Sequence, residues 1–448
     1  MRNSRRSFLA TASMAAAGNA LGFRPFGMLN ALAQTTSDYK ALVCIFLFGG
    51  NDANNTLIPF DTTGYQNYSS IRGPVALPQS SLLQLATQTN FALHPNLPEV
   101  QSLFNSGNAA FLVNVGTLLS PTTRPQWEAG QVLQPANLFS HPDQQLEWQN
   151  QMQSTTGATG WAGRMADKMN TQYNPGALLP MITSLSGDAL FCNGTSTSPV
   201  SIAATGPVAA ECSVPAYCSS RQQTAQQFST LSSGVSLVQA DNSITNNAYT
   251  YNATLTDALG SVTALQTVFP TTLNPFGAQL QEVARLIQVR AALGVTRQIF
   301  FLGAGNFDTH GNQLLEQAAL LSQLSPALGA FYQALEEMNL TNSVTAFTCS
   351  DFGRTLQTNS AAGSDHAWGS HHMILGGAVQ GGKIYGTFPT LALGGPDDAG
   401  GSGRWIPSTA SAQYAATLAQ WFGLPASELP YVLPYIGNFS SNNLGFMG

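Results

Sequence analysis

Ala41-Leu42-Val43-Cys44-Ile45-Phe46-Leu47-Phe48, followed by Gly49-Gly50-Asn51-Asp52, is the stretch that sets the fold class. Eight apolar residues run without polar alternation, as a strand covered on both faces must, and the glycine pair turns the chain towards an acidic side chain. Two later segments repeat the pattern: Gln298-Ile299-Phe300-Phe301-Leu302 leads to Asp308, and Val344-Thr345-Ala346-Phe347-Thr348-Cys349 leads to Asp351. Between them, residues 314–340 form an amphipathic stretch long enough to be the crossover helix of a right-handed βαβ unit. Residues 109–115 are a fourth strand candidate, and helices are expected over 275–295 and 410–422, the second stopped by Gly423 and Pro425. The pattern is that of an α/β protein with a mostly parallel central sheet flanked by helices.

Parallel sheets bind their ligands beyond the carboxyl ends of the strands, where Asp52, Asp308 and Asp351 would all emerge. Any one of them alone is equally well explained as a turn or helix cap. Of only six histidines in the chain, however, four lie in Asp308-Thr309-His310 and in Asp365-His366-Ala367-Trp368-Gly369-Ser370-His371-His372. In a chain with 8% charged residues, carboxylates and imidazoles gathered in this way point to a metal site or an acid–base site. On an extended segment Asp308 and His310 face the same side, with Thr309 turned away.

Composition narrows the function. The 448 residues, 44% of them hydrophobic, fit one large domain over 34–448. A polar, Ser/Thr-rich insertion spans about 183–272, with Arg221 its one basic residue, and is a candidate cap over the crevice. Sixteen Lys and Arg against 22 Asp and Glu, with no basic run, exclude electrostatic nucleic-acid binding. Arg5-Arg6 ahead of Phe8-Leu9, a weakly apolar stretch and Ala31-Leu32-Ala33 read as a twin-arginine signal over residues 1–33. Its removal deletes four arginines and no carboxylate, taking the net charge from −6 to −10. No other stretch has the apolar length of a membrane span, so the mature chain is expected in the periplasm or secreted. Cys44 and Cys349 sit in apolar runs as buried thiols, while Cys192, Cys212 and Cys218 offer one disulfide, either Cys212–Cys218 or Cys192–Cys212.

Several segments, in order, carry a resemblance: Gly49-Gly50-Asn51-Asp52 with Asn55-Thr56, Leu93-His94-Pro95, Ser140-His141, Gly160-Trp161-Ala162-Gly163-Arg164, Ser350-Asp351-Phe352-Gly353-Arg354-Thr355, Asp365-His366, Gly376-Gly377-Ala378-Val379-Gln380-Gly381-Gly382 and Trp421-Phe422-Gly423-Leu424. The chain resembles an exported bacterial family catalogued as domain of unknown function 1501, which in turn resembles the alkaline phosphatase and sulfatase superfamily. That likeness implies an alkaline-phosphatase-like sandwich and one or two divalent ions, zinc, manganese or magnesium. It implies Asp52, Asp308, His310, Asp351, Asp365 and His366 as the metal ligands. The superfamily's Asp-His after the later strand is Asp351-Phe352 here, so one imidazole is missing unless His371 or His372 replaces it; His141 is read separately as a ligand, a base or a structural loop residue. The superfamily nucleophile maps to Ser140, at a helix start before Pro142, with Thr56 or a bound water as alternatives.

Arg354 is the candidate for offsetting charge on an anionic substrate, with a salt bridge to a neighbouring carboxylate as the plainer reading. Arg124 and Arg164 are weaker versions of the same idea. His94 reads as a packing or capping residue, Asp397-Asp398 as a solvated loop able to take calcium, and the glycine-rich 376–382 as turns in a sheet. The implied activity is an exported metal-dependent hydrolase of phosphate or sulfate esters, on an anionic small-molecule or glycan substrate. The alternative is a catalytically degenerate binding or scaffold protein on the same fold, with an envelope protein as partner.

Overall fold

The computed structural model describes residues 38–152, 159–207, 215–231 and 234–448. The twin-arginine segment and Cys212 lie outside them. A nine-stranded sheet forms the centre, built from β1 (Lys40–Leu47), β5 (Ala109–Gly116), β6 (Ile182–Ser184), β7 (Val200–Ser201), β8 (Arg297–Ala304), β9 (Val344–Ser350), β10 (Ser370–Leu375), β11 (Ile384–Tyr385) and β12 (Thr409–Ala410). The remaining strands, β2 (Leu57–Pro59), β3 (Leu83–Gln84) and β4 (Phe91–Leu93), make a small separate sheet. In the large sheet the order is β11-β5-β10-β9-β1-β8-β6-β7, with β12 also paired to β5. Strand β1 pairs in parallel with both β8 and β9, so the three strands read from sequence are neighbours at the middle of the sheet. Only β10 runs against its neighbours.

The unbroken apolar run of β1 is explained by its position. Ala41, Val43, Ile45 and Leu47 enter one core, and Leu42, Cys44 and Phe46 enter the other, all essentially inaccessible. The longer helices among the described residues are α1 (Thr62–Arg72), α2 (Pro98–Asn105), α3 (His141–Asn150), α4 (Trp161–Tyr173), α5 (Pro215–Ser229), α6 (Ser236–Leu259), α7 (Pro275–Gln288), α8 (Gln313–Glu337) and α9 (Ser411–Phe422). Helices α2, α7 and α8 cover the first face, and α4 and α9 the second. The helix expected over 275–295 is broken at Val289 and resumes as Arg290–Leu293, closed by Gly294 in the left-handed region. Gly423, with φ 119°, stops α9 as its sequence position indicates.

Residues 183–272 begin inside the sheet, as β6 and β7, and continue as the helix pair α5 and α6. Leu255, Ala258 and Leu259 of α6 join the core beside Val289 and Leu293. Just beyond, Gln266 and Thr267 donate to Glu337 at the end of α8. These contacts lie where the strands begin, at the opposite end of the sheet from Asp308 and Asp351. Cys218 is disulfide-bonded, whereas Cys44, Cys192 and Cys349 are free and buried, which removes the Cys192–Cys212 pairing.

Candidate metal centre

The loops leaving β1, β8 and β9 are pressed together, and two glycines allow it. Gly49 and Gly50 have φ of 115° and 80°; a Cβ on the first would stand 2.4 Å from the Asp308 amide nitrogen, and on the second 2.6 Å from the Phe352 ring. Arg354 fills the gap that remains. Its Nε donates to the carbonyls of Gly50 (2.7 Å) and Phe307 (3.2 Å), Nη1 to Ser364 (2.6 Å), and Nη2 to Gly49 (2.6 Å) and to the Asp308 carboxylate. The guanidinium is inaccessible to solvent, so it joins three loops and aims Asp308 outwards.

Three histidines converge on that carboxylate. His141 Nε2 lies 3.4 Å from Asp308 Oδ2, while His366 Nε2 and His310 Nε2 lie 3.3 and 3.1 Å from Oδ1. His310 and His366 bring their Nε2 atoms to 2.9 Å of each other. Each ring is held from behind through Nδ1: His141 by Asp351 Oδ2 (2.7 Å), His366 by the Phe139 carbonyl (2.8 Å) and His310 by Asp365 Oδ1 (3.2 Å). All three partners only accept, so each Nδ1 carries the hydrogen, and a neutral ring then has its lone pair on Nε2. One ligand atom each from His141, Asp308 and His366 fits within 4.8 Å, and His310 stands beside them.

The outer layer is also built. Gln145 Nε2 donates to Asp351 Oδ2 at 2.8 Å, and the Gly49 amide donates to Oδ1 at 3.1 Å, which fixes the carboxylate that fixes His141. Phe352 packs its ring 4.8 Å from that of His141 and 4.7 Å from that of His366. The hydrogen bond to Asp351 raises the pKa of His141 despite burial, which acts the other way. Burial pushes Asp308 up, but the bond and charge of Arg354 outweigh it and hold the carboxyl below its usual range. Burial lowers the pKa of His366, and the bond from Asn359 lowers that of Asp365.

Of the expected ligands, Asp308, His310 and His366 face the centre. Asp351 and Asp365 instead stand behind histidines. Asp52 is not at the centre: it is buried in an ion pair with Arg72 of α1 and also takes a bond from Gln313, so it ties α1 and α8 to the β1 loop. A further imidazole, that of His141 at the first turn of α3, joins the cluster, and His371 and His372 do not. Those two are buried in β10, His371 accepting from the Asn114 amide and His372 packed against Trp148 and Tyr414.

Neither candidate hydroxyl is free. Ser140 does stand at the start of α3, but its side chain accepts no backbone N–H of the first turn; instead its Oγ donates to Asp143 Oδ2 at 2.5 Å. Thr56 is inaccessible and donates to the Asp52 carbonyl. Arg354 is engaged with the protein through every nitrogen and sealed from solvent, so it offers no N–H to a substrate. Arg124 and Arg164 likewise bind carbonyls, of Gly395 and of Val432. His94 accepts from the Asn96 amide in a turn, away from the site. The loop around Asp397-Asp398 lies at the surface as expected, but Asp398 itself is inaccessible and accepts from the amides of Gly394, Gly400, Gly403 and Arg404, which fills the lone pairs calcium would need. Gln145 and Arg404 carry no signal in the sequence beyond polarity.

An α/β sheet with imidazoles and carboxylates gathered beyond its strand ends defines the class of this protein. The chain belongs to the family described as Protein of unknown function (DUF1501), whose profile matches residues 39–398. No curated protein matches it. Among solved structures it is similar to the PsFucS1 sulfatase from Pseudoalteromonas sp., at 10% identity and a TM-score of 0.35 over 95% of this chain and 74% of that one. It is also similar to the C-terminal periplasmic domain of EcEptC from Escherichia coli, solved with Zn, at 8% identity and a TM-score of 0.32 over 76% and 73%. A mutant of the alkaline phosphatase PafA gives 12% identity and a TM-score of 0.27 over 72% and 64%. At such scores the likeness places no residue and transfers no activity. No helix among the described residues is long and apolar enough to cross a membrane.

Proposed function

We propose that the protein is an exported metal-dependent hydrolase of phosphate or sulfate esters. The observation that supports this most is the common orientation of His141, His310 and His366. Each gives its Nδ1 hydrogen to an oxygen and turns Nε2 towards Asp308. Three neutral imidazoles arranged in this way set lone pair against lone pair, an unfavourable contact that a cation between them relieves. His141 Nε2 is buried with no hydrogen-bond partner, an orphaned atom that a ligand would satisfy. Nitrogen donors with one carboxylate, each backed by an outer partner, suit zinc, with manganese also accommodated.

Such an ion, when bound, supplies a Lewis acid that polarises an ester oxygen and acidifies water. The protein's own part is positional. Arg354 and the loop glycines set Asp308, and Asp351 with Gln145 sets His141. The exposed side of the cluster, formed by Asp308, His310 and Asp365, is open to substrate. With the Ser140 hydroxyl donated to Asp143 and Thr56 buried, the attacking group in this reading is water. Export is supported by Arg5-Arg6 and by the disulfide at Cys218, which suits an oxidising compartment.

The absence of a free hydroxyl nucleophile among the described residues of the cluster also favours a second reading, a metal-dependent binding protein of the envelope. One experiment separates the two. Protein dialysed against trace zinc or manganese is assayed for bound metal and for turnover of a panel of phosphate and sulfate esters. Metal with turnover supports the hydrolase, metal without turnover supports the binding protein, and no metal removes both.

A further inference from the structure

The geometry points to Arg404 as the residue that grips the oxyanion of the substrate; this rests on the hydrolase reading above and adds a substrate-binding residue to it. An anionic substrate must be met by a cation with accessible N–H groups, and Arg354 offers none. Arg404 is differently placed. Its Nε donates to the carbonyl of His366 at 2.9 Å, and its guanidinium carbon lies 4.4 Å over the ring of Phe139. The carbonyl of that same Phe139 holds His366 Nδ1. Arg404 and Phe139 thus both bear on His366, the first through its carbonyl and the second through its ring nitrogen.

These contacts fix the guanidinium through Nε and its face but leave its two terminal nitrogens without a protein acceptor among the described residues. Its main chain is fixed as well, because the Arg404 amide is one of the four that Asp398 gathers. The neighbouring carboxylate, Asp365, takes both of its bonds, from His310 and from Asn359, on Oδ1, and neither comes from Arg404. A half-buried guanidinium held on two sides, with two parallel N–H groups open, matches paired oxygens of a phosphate or sulfate group. A surface arginine that served only solubility would not be held in this way.

The test uses inorganic phosphate and inorganic sulfate as probes, titrated by calorimetry into the metal-loaded chain, its Arg404→Gln variant and its Arg404→Lys variant, with bound metal measured in each. Expected is a loss of oxyanion affinity of about tenfold or more in Arg404→Gln and a smaller loss in Arg404→Lys, since a charge-assisted bidentate pair is removed in the first and its fork in the second. Metal content should stay at the wild-type level in both, and KM for phosphate or sulfate esters should rise. Equal affinity in all three proteins, or no binding of either anion by the wild type, overturns the inference and leaves the hydrolase reading standing. Loss of metal in both variants also overturns it, by assigning Arg404 to holding His366. Arg404-dependent anion binding in a chain that cleaves no ester keeps the inference and removes the hydrolase.

Discussion

His310 and His366 stand nitrogen to nitrogen, Nε2 to Nε2 at 2.9 Å, while each ring's other nitrogen faces an oxygen. Ligands placed in this way should be separable from residues that merely pack. His141→Ala, His310→Ala and His366→Ala are each expected to lower bound metal, weakening affinity by at least about tenfold, the smallest loss typical when even an outer-layer partner is removed. His94→Ala should leave metal content unchanged, because its ring serves the Asn96 turn. Metal analysis on folded protein decides it, and equal content in all four variants would show the cluster to be structural.

Asp351 acts through His141, so its removal should be felt as a change in affinity and not as a missing ligand. In Asp351→Asn the amide oxygen can still accept from one donor, but the charge that orients the imidazole is gone. A loss of metal affinity of about 10–100-fold is expected with the same final stoichiometry. Competition against a chelator of known strength measures it. Unchanged affinity would mean that Asp351 serves the β9 turn alone.

Arg354 carries the opposite expectation from the one its sequence position suggests. Four carbonyls and a carboxylate depend on it, with no exposure to solvent. Arg354→Lys keeps the charge but not the fork, and leaves buried acceptors unpaired. A stability loss of about 1–3 kcal/mol or more is expected, the scale of leaving a buried acceptor unpaired, and urea unfolding reads it. A variant of wild-type stability with raised KM would return Arg354 to the role of substrate cation.

The sheet is legible in the sequence because burial on both faces removes the polar alternation from β1, β8 and β9, and because each strand leads to an acidic residue. Strand ends are local facts. Which acid faces the centre is not, since Asp52 follows β1 as Asp308 follows β8, yet Arg72 of α1 and Gln313 of α8 draw Asp52 inwards. His141 stands among the alternatives in the sequence but is not selected by it, because its approach to Asp351 spans 210 residues of chain and depends on where α3 docks. Asp397-Asp398 reads as solvated because Gly and Asp are polar by composition. Only the fold shows four amides turned onto one carboxylate. Ser140 reads correctly as a helix start, and its hydroxyl's partner, Asp143, lies one helical turn on.

Acid stability is set in part by histidines outside the site. Burial lowers the pKa of His94 and His371 to about 4 and that of His372 to about 3. The folded state therefore keeps these rings neutral, while the unfolded chain takes up protons near pH 6.5. Between about pH 6.5 and 4 the unfolded state binds more protons, so stability is full above that window and falls as pH drops through it. The slope is about 1.4 kcal/mol per pH unit for each such histidine. His372→Phe tests one of them: its ring packs against Trp148 and Tyr414, and its Nε2 has no hydrogen-bond partner, so phenylalanine keeps the packing and removes the proton uptake. Urea unfolding at pH 5, 6 and 7 should show a plot of stability against pH that is shallower than wild type by about that one-histidine slope. Parallel plots for the two proteins would mean that His372 titrates alike in the folded and unfolded chain, and that its burial in β10 does not hold it neutral.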